Sequence, residues 1–171
     1  RGLLRLTNGT LAASYTNEPW LGAAAVTALA EDGQGGIWAG TSEGRLVRFD
    51  GRSFVEIRPP LGGGAITGLA QEPGGRLWVG SMAGGLSRGR LSDGIVERIS
   101  APEISDAIRT LYLDSSGTLW IGTAGGGLAC RRKDRFATFG PAQGLNANTI
   151  VQIVEDDLHY LWLGTSRGVL R

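Results

Sequence analysis

Short apolar runs recur along the chain with polar turns between them. "VTALAED" (26–32), "ITGLAQE" (66–72), "IRTLYLD" (108–114) and "IVQIVED" (150–156) are all β-branched or Leu-rich. Runs of this length, bounded by Gly, Asp and Ser, predict strands. Each leads into a turn, such as Asp32-Gly33-Gln34-Gly35-Gly36 or Asp114-Ser115-Ser116-Gly117, and then into a second strand that carries a tryptophan. Two weaker strands follow, at 45–49 and 54–57 or at 127–131 and 136–139. The first strand of each set is apolar almost throughout (Val26, Leu29; Ile150, Ile153). That pattern predicts a strand covered on both faces, because a half-exposed strand alternates.

The tryptophans make the period explicit. "GGIWAGTSEGRL", "GRLWVGSMAGGL", "GTLWIGTAGGGL" and "HYLWLGTSRGVL" place Trp38, Trp78, Trp120 and Trp162 at intervals of 40, 42 and 42 residues. Gly40, Gly80, Gly122 and Gly164 follow two residues later, then Thr41, Ser81, Thr123 and Thr165. Four short strands and one Trp in about 40 residues are the signature of a β-propeller blade. The expected fold is all-β: a propeller arc or partial ring of four blades, each a four-stranded antiparallel sheet. It forms a single segment over 1–171, with repeats at about 1–41, 42–81, 82–123 and 124–165 and a further one starting at 166–171. The four tryptophans are expected to be wedges between blades. The Gly two residues on lets the neighbouring sheet come close. Gly44, Gly84, Gly126 and Gly168 fall at the next turn, where a positive φ is expected. "RGLLRL" (1–6) matches "RGVLR" (167–171). The chain is therefore expected to start on a third strand and to stop as another begins. The open blade faces are expected to be covered by a second copy or another propeller segment.

Composition narrows the chemistry. The 171 residues suffice for one domain with a sizeable core. Glycine contributes 29 of them, well above the usual roughly 7%. The run "TLWIGTAGGGL" alone suggests a phosphate cradle, but it recurs fourfold and no Gly-Lys-Ser/Thr ending follows, so it reads as a packing element. A net charge of +1 gives no footprint for nucleic acid, and the basic run at 131–135 reads as a solvated turn. No apolar stretch approaches the ~18 residues of a membrane span, so membrane contact is expected only through flanking segments absent from this sequence. One cysteine, Cys130, allows neither a disulfide framework nor a thiolate metal site. The single histidine, His159, reads as an exposed hairpin residue. Glu31-Asp32, Asp114 and Asp156-Asp157 recur at the first hairpin, where carboxylates accept nearby backbone N–H groups. They lack the alternating oxygen ligands of a calcium loop. No catalytic residue, metal or cofactor is expected.

Binding is the better reading. The loops entering the first strands, "TNEPWLGAAA", "RPPLGGGA", "SAPEISDA" and "GPAQGLNANT", differ most among the copies, as a recognition surface on a repeated scaffold would. Trp20, the tryptophan outside the repeat, lies in one of them, where an exposed indole would stack on a sugar or on a partner's apolar group. Its other reading is a cover for a blade edge. Arg109 stands where the other copies have Thr27, Thr67 and Val151, a candidate ligand for an anion or hydroxyl that can instead pair with Asp106 or Glu103. Asp106 and Asn148 complete the candidate ligand-binding set.

"AEDGQGGIWAGTSEGRLVRFD", "LDSSGTLWIGTAGGGL" and "GLNANTIVQIVED" resemble the two-component regulator propeller repeat, and the likeness recurs over essentially the whole chain. The resemblance implies a periplasmic sensor propeller of histidine kinases, hybrid two-component systems or cyclases, often responding to glycans such as oligosaccharides. It implies a non-catalytic segment of an extracytoplasmic bacterial receptor. A protein-interaction scaffold without a small ligand is the alternative, and a streptogramin-lyase-like enzyme a further one. The fourth copy departs from the pattern, with Asp157-Leu158-His159-Tyr160 in place of a Gly-containing turn.

Overall fold

The computed structural model describes residues 2–57, 63–83, 85–90, 95–104 and 107–171. It is an all-β propeller arc. The chain opens with a two-stranded hairpin, β1 (Leu3–Thr7) and β2 (Thr10–Tyr15). Three complete blades follow. The first comprises β3 (Val26–Glu31), β4 (Ile37–Thr41), β5 (Leu46–Phe49) and β6 (Phe54–Ile57). The second comprises β7 (Ile66–Gln71), β8 (Arg76–Ser81), β9 (Leu86–Arg90) and β10 (Ile95–Ile99). The third comprises β11 (Ile108–Leu113), β12 (Leu119–Thr123), β13 (Leu128–Arg132) and β14 (Arg135–Phe139). A three-stranded sheet of β15 (Ile150–Glu155), β16 (Leu161–Thr165) and β17 (Gly168–Leu170) ends the arc. Every sheet is antiparallel with sequential neighbours, and no described pairing joins β17 to β1 or β2.

The core is a series of interfaces between blades. The innermost strands β3, β7, β11 and β15 stand side by side in that order. Trp38, Trp78 and Trp120 face forward, and the innermost strand of the next sheet presses back on each. Trp38 packs with Ile66 and Leu69, Trp78 with Ile108 and Leu111, and Trp120 with Ile150 and Ile153. Burying an indole's ~150–250 Å² at about 25 cal/mol/Å² yields roughly 4–6 kcal/mol gross. The Gly beyond each Trp admits the neighbour. A Cβ on Gly40 would lie 2.5 Å from Ile66 Cγ2, one on Gly80 2.6 Å from Ile108 Cγ2, and one on Gly122 2.9 Å from Ile150 O.

Two expectations need correction here. Trp162 is not a buried wedge: it is 37% exposed, against 0% for Trp78, because no blade stands in front of it in this chain. Gly164 beside it has room, the nearest atom to an added Cβ being its own sheet's Gln152 Cβ at 3.4 Å. At the other end Leu29 is 56% exposed, whereas its equivalents Leu69, Leu111 and Ile153 are buried. The second correction concerns the turn glycines. Gly44 and Gly168 have positive φ (79° and 122°), but in the third blade the left-handed residue is Gly127 (78°) and not Gly126. Gly84 lies outside the described residues.

Candidate functional site

Each loop that enters an innermost strand is tied to the turn between the second and third strands of its own blade. Ser42 N donates to Ala25 O at 2.9 Å, Met82 N to Ala65 O at 2.9 Å, Ala124 N to Ala107 O at 2.9 Å and Ser166 N to Thr149 O at 3.3 Å. The Ser/Thr after each Gly closes that turn: Thr41 Oγ1 accepts from Arg45 N and Ser81 Oγ from Gly85 N, while Thr123 Oγ1 donates to Gly127 O. A repeated scaffold thus holds four unlike loops on one face.

Every innermost strand carries a bulge at its second residue, at Thr27, Thr67, Arg109 and Val151. A bulge re-aims a side chain. The hydroxyls of Thr27 and Thr67 reach across the blade boundary, donating to Ile66 O (2.6 Å) and to Ile108 O. Arg109 occupies the same bulge and is exposed. Asn148 is also exposed and lines a depression of ≈390 Å³ with Pro141, Asn146, Thr149, Ser166 and Arg167. Asp106 lies outside the described residues.

Trp20 had two readings, and its burial separates them. Of the two, stacking on a ligand and covering a blade edge, the structure has the second: the residue is 5% exposed and packs with Leu21 and Val47. Its ring lies 5.1 Å from that of Phe54, which in turn meets Tyr15 at 5.3 Å and Phe49 at 4.6 Å. The indole covers the outer edge of the first complete blade and is not free to stack on a ligand. Trp20 borders a depression with Tyr15, Glu18 and Arg52, and Asn148 borders another.

The opposite face shows what sequence reading missed. In three of the four Trp-bearing sheets the hairpin acid six residues before the Trp caps the indole. Glu72 Oε1 accepts from Trp78 Nε1 at 2.8 Å, Asp114 Oδ2 from Trp120 Nε1 at 2.7 Å, and Asp156 Oδ2 from Trp162 Nε1 at 2.7 Å. In the first blade Asp32, 3% exposed, instead takes Arg48 Nη2 (2.5 Å) and the N–H groups of Gln34 and Gly36, while Trp38 Nε1 donates to Gln71 of the next blade at 3.1 Å. Arg48 and Arg88, each ten residues after its Trp, lie over the ring at 5.8 and 5.0 Å. The constant acid–Trp spacing of six, with an Arg ten residues after the Trp in the first two complete blades, was the available signal. Burial pushes the Asp32 carboxyl up, but the Gln34 N–H, Arg48 and the Gly36 N–H outweigh it and hold it below its ordinary value. A groove of ≈580 Å³ between the first two complete blades is lined by Asp32, Gln34, Arg48, Asp50, Gln71 and Arg90, among others.

The histidine has partners the sequence did not reveal. Glu155 accepts from Ser115 N (2.8 Å) and Ser115 Oγ (2.7 Å), joining the third blade to the last sheet, and His159 Nδ1 lies 3.0 Å from Glu155 Oε1 and 3.1 Å from Ser115 Oγ. One ring nitrogen faces both groups, so this cluster is not a relay in which the two nitrogens serve different partners. Among the described residues no group of three His, Cys, Asp or Glu is placed to hold a metal, and burial pushes the Cys130 thiol up, away from the reactive thiolate.

Comparison with known proteins matches the "Two component regulator propeller" family over residues 21–43, 102–125 and 144–167. Each match spans an entry loop, an innermost strand, the Trp strand and the turn after it. Three stretches of the chain thus carry the two-component regulator propeller repeat. Among solved structures, this propeller is similar to the extracellular domain of the hybrid two-component system BT4673 from B. thetaiotaomicron, at 25% identity, TM-score 0.71, over 84% of this chain and 21% of that one. It shares its fold with the extracellular domain of the hybrid two-component system BT3049 from the same organism, at 23% identity, TM-score 0.73, over 98% of this chain and 22% of that one. The fold also matches virginiamycin B lyase from Staphylococcus aureus at 18% identity, TM-score 0.75, over 95% of this chain and 59% of that one. The chain thus spans about a fifth of the two receptor domains. No curated protein matches it. No helix among the described residues is long and apolar enough to cross a membrane.

Proposed function

We propose that this regulator propeller is a non-catalytic, ligand-sensing segment of the periplasmic part of a bacterial signalling receptor. The observation that carries the reading is the division of labour between the two parts of each blade. The Trp, Gly and acid positions repeat because they build the interfaces, while the four anchored loops on one face differ from one another. Arg109, at a bulge, and Asn148, in the depression of the last sheet, are the exposed polar groups on that face assigned to the ligand. The likeness to the receptor BT4673 at 25% identity supports the same setting. The shared nitrogen of His159 supports a non-catalytic reading over the lyase alternative, whose 18% likeness speaks for fold alone. The exposed apolar faces at Trp162, Val151, Val154 and Leu29 are assigned to contact with another propeller segment or a second copy.

A thermal-shift screen of the purified protein against small ligands, oligosaccharides among them, tests this. The expected result is a saturable rise in melting temperature that Arg109→Ala or Asn148→Ala reduces while leaving the unliganded melting point in place. A hit that neither substitution weakens removes the channel-face loops from the site.

A further inference from the structure

The β1–β2 hairpin turns on Asn8 and Gly9, with Thr7 paired to Thr10. Their φ values, 51° and 77°, are the two left-handed residues of a type I′ turn. Both residues are exposed, and the space around Gly9 is open. The corresponding hairpin of the third complete blade turns on Lys133 and Asp134, at φ 48° and 63°, with Arg132 paired to Arg135. The geometry is the same and the chemistry is not. Asn8 carries a side-chain amide carbon one residue before a glycine nitrogen that no side chain shields. That nitrogen is at the third position of the turn, outside the bond that closes it.

We propose that Asn8–Gly9 is a site of spontaneous deamidation and backbone isomerisation. The Gly9 amide nitrogen attacks Asn8 Cγ. The N–Cγ bond forms, the Cγ–Nδ2 bond breaks, and ammonia departs with the proton of the Gly9 amide. Water then opens the five-membered imide at either carbonyl, leaving aspartate or isoaspartate at position 8. Isoaspartate adds a methylene to the main chain inside a two-residue loop, and loop length sets the register of a hairpin. The Thr7–Thr10 pair is lost, in a two-stranded sheet with little stability of its own. The damage reaches the next blade through Tyr15 at the end of β2, whose ring packs on Phe49 at 5.1 Å and Phe54 at 5.3 Å. This inference is independent of the sensing function.

The test is to hold the purified protein at mildly alkaline pH and to follow each asparagine by peptide mapping, with isoaspartate read by enzymatic methyl labelling. Conversion at Asn8 is expected to outrun that at Asn17, Asn146 and Asn148 several-fold. Grafting the third blade's turn, Asn8→Lys with Gly9→Asp, should abolish conversion there with the melting point unchanged. Equal conversion at the other asparagines overturns the proposal. So does an intact Asn8 in the folded protein under conditions that convert a free peptide spanning residues 5–12.

Discussion

Gly122 and Gly164 have the same place in the repeat and opposite surroundings. A Cβ on Gly122 meets Thr110 Cγ2 at 2.7 Å and the Ile150 carbonyl at 2.9 Å, and the carbonyl cannot swing aside as a flexible side chain would. Overpacking of this kind costs typically ~1–3 kcal/mol. Gly164→Ala meets nothing closer than 3.4 Å, so its cost should stay within ~0.5 kcal/mol. Chemical denaturation of the two variants measures the difference directly, and equal costs would show that the neighbouring blade is not what these glycines serve. Trp20 supplies a second prediction at this scale. Its burial among Leu21, Val47 and Phe54 sets the cost of Trp20→Ala at about 3–5 kcal/mol, the range for deleting a buried aromatic. Its Nε1 is buried without a partner among the described residues, so Trp20→Phe should cost clearly less than Trp20→Ala, since it keeps a ring and removes the orphaned donor. A Trp20→Ala protein that melts like the parent would put the ring back in solvent.

The element that defines each blade is the first hairpin, and at Asp32, Asp114 and Asp156 its carboxylate makes it pH-sensitive. Burial pushes Asp114 up, yet the Ser116 hydroxyl, the Trp120 indole and the N–H groups of Thr118 and Ser116 overcome this and hold it below its ordinary value. Asp32 is depressed in the same way, and Asp156 is depressed by the Trp162 indole and the Tyr160 N–H. A carboxyl whose pKa is lower folded than unfolded adds stability that is fully present above the unfolded value, near 4, and is lost as pH falls through the folded value. Melting temperature should therefore fall steeply with acid below about pH 4, and Asp114→Asn should flatten that slope. An unchanged acid slope in Asp114→Asn would mean the carboxylate is not what couples the hairpin to pH. Much of this element was legible beforehand. The four Trp strands, the first strands and the acid-rich turns fall where the spacing puts them, because period and turn chemistry are local signals. The indole cap was not legible, since a spacing of six becomes a contact only when the hairpin folds back. Trp20 was left with two readings for a related reason: a loop position says nothing about the aromatic cluster of Tyr15, Phe49 and Phe54 that three separate strands bring to it. At the fourth hairpin His159 takes the left-handed position, φ 63°, that Gly35, Gly75 and Gly117 hold in the others. The departure was visible in the sequence, but its tie to Glu155 and Ser115 across the blade boundary was not.

At the scale of the whole molecule, stability is the sum of blades and the interfaces between them, as in other repeat proteins. The interfaces here are unequal. Trp78 sits between Arg88 of its own blade and Arg131 of the next, at 5.0 and 4.8 Å, and Ile108, Leu119 and Ile121 around it are fully covered. The second and third complete blades have neighbours on both sides. The β1–β2 hairpin and the sheet of β15 to β17 have one neighbour each, with Leu4, Leu6 and Leu11 exposed at one end and Val154, Trp162 and Val169 at the other. Opening a terminal sheet breaks one interface, whereas opening β7–β8 or β11–β12 breaks two. Amide hydrogen exchange should therefore run in a gradient, slowest in β7, β8, β11 and β12 and fastest in β1, β2 and β17, with β15 intermediate because its Ile150 and Ile153 are held against Trp120. A partner that covers the faces at Leu29 and Trp162 should slow exchange at the two ends and leave the centre as it was. Uniform exchange across all sheets of the isolated chain would contradict a sum of interfaces and would require the arc to unfold as one cooperative body.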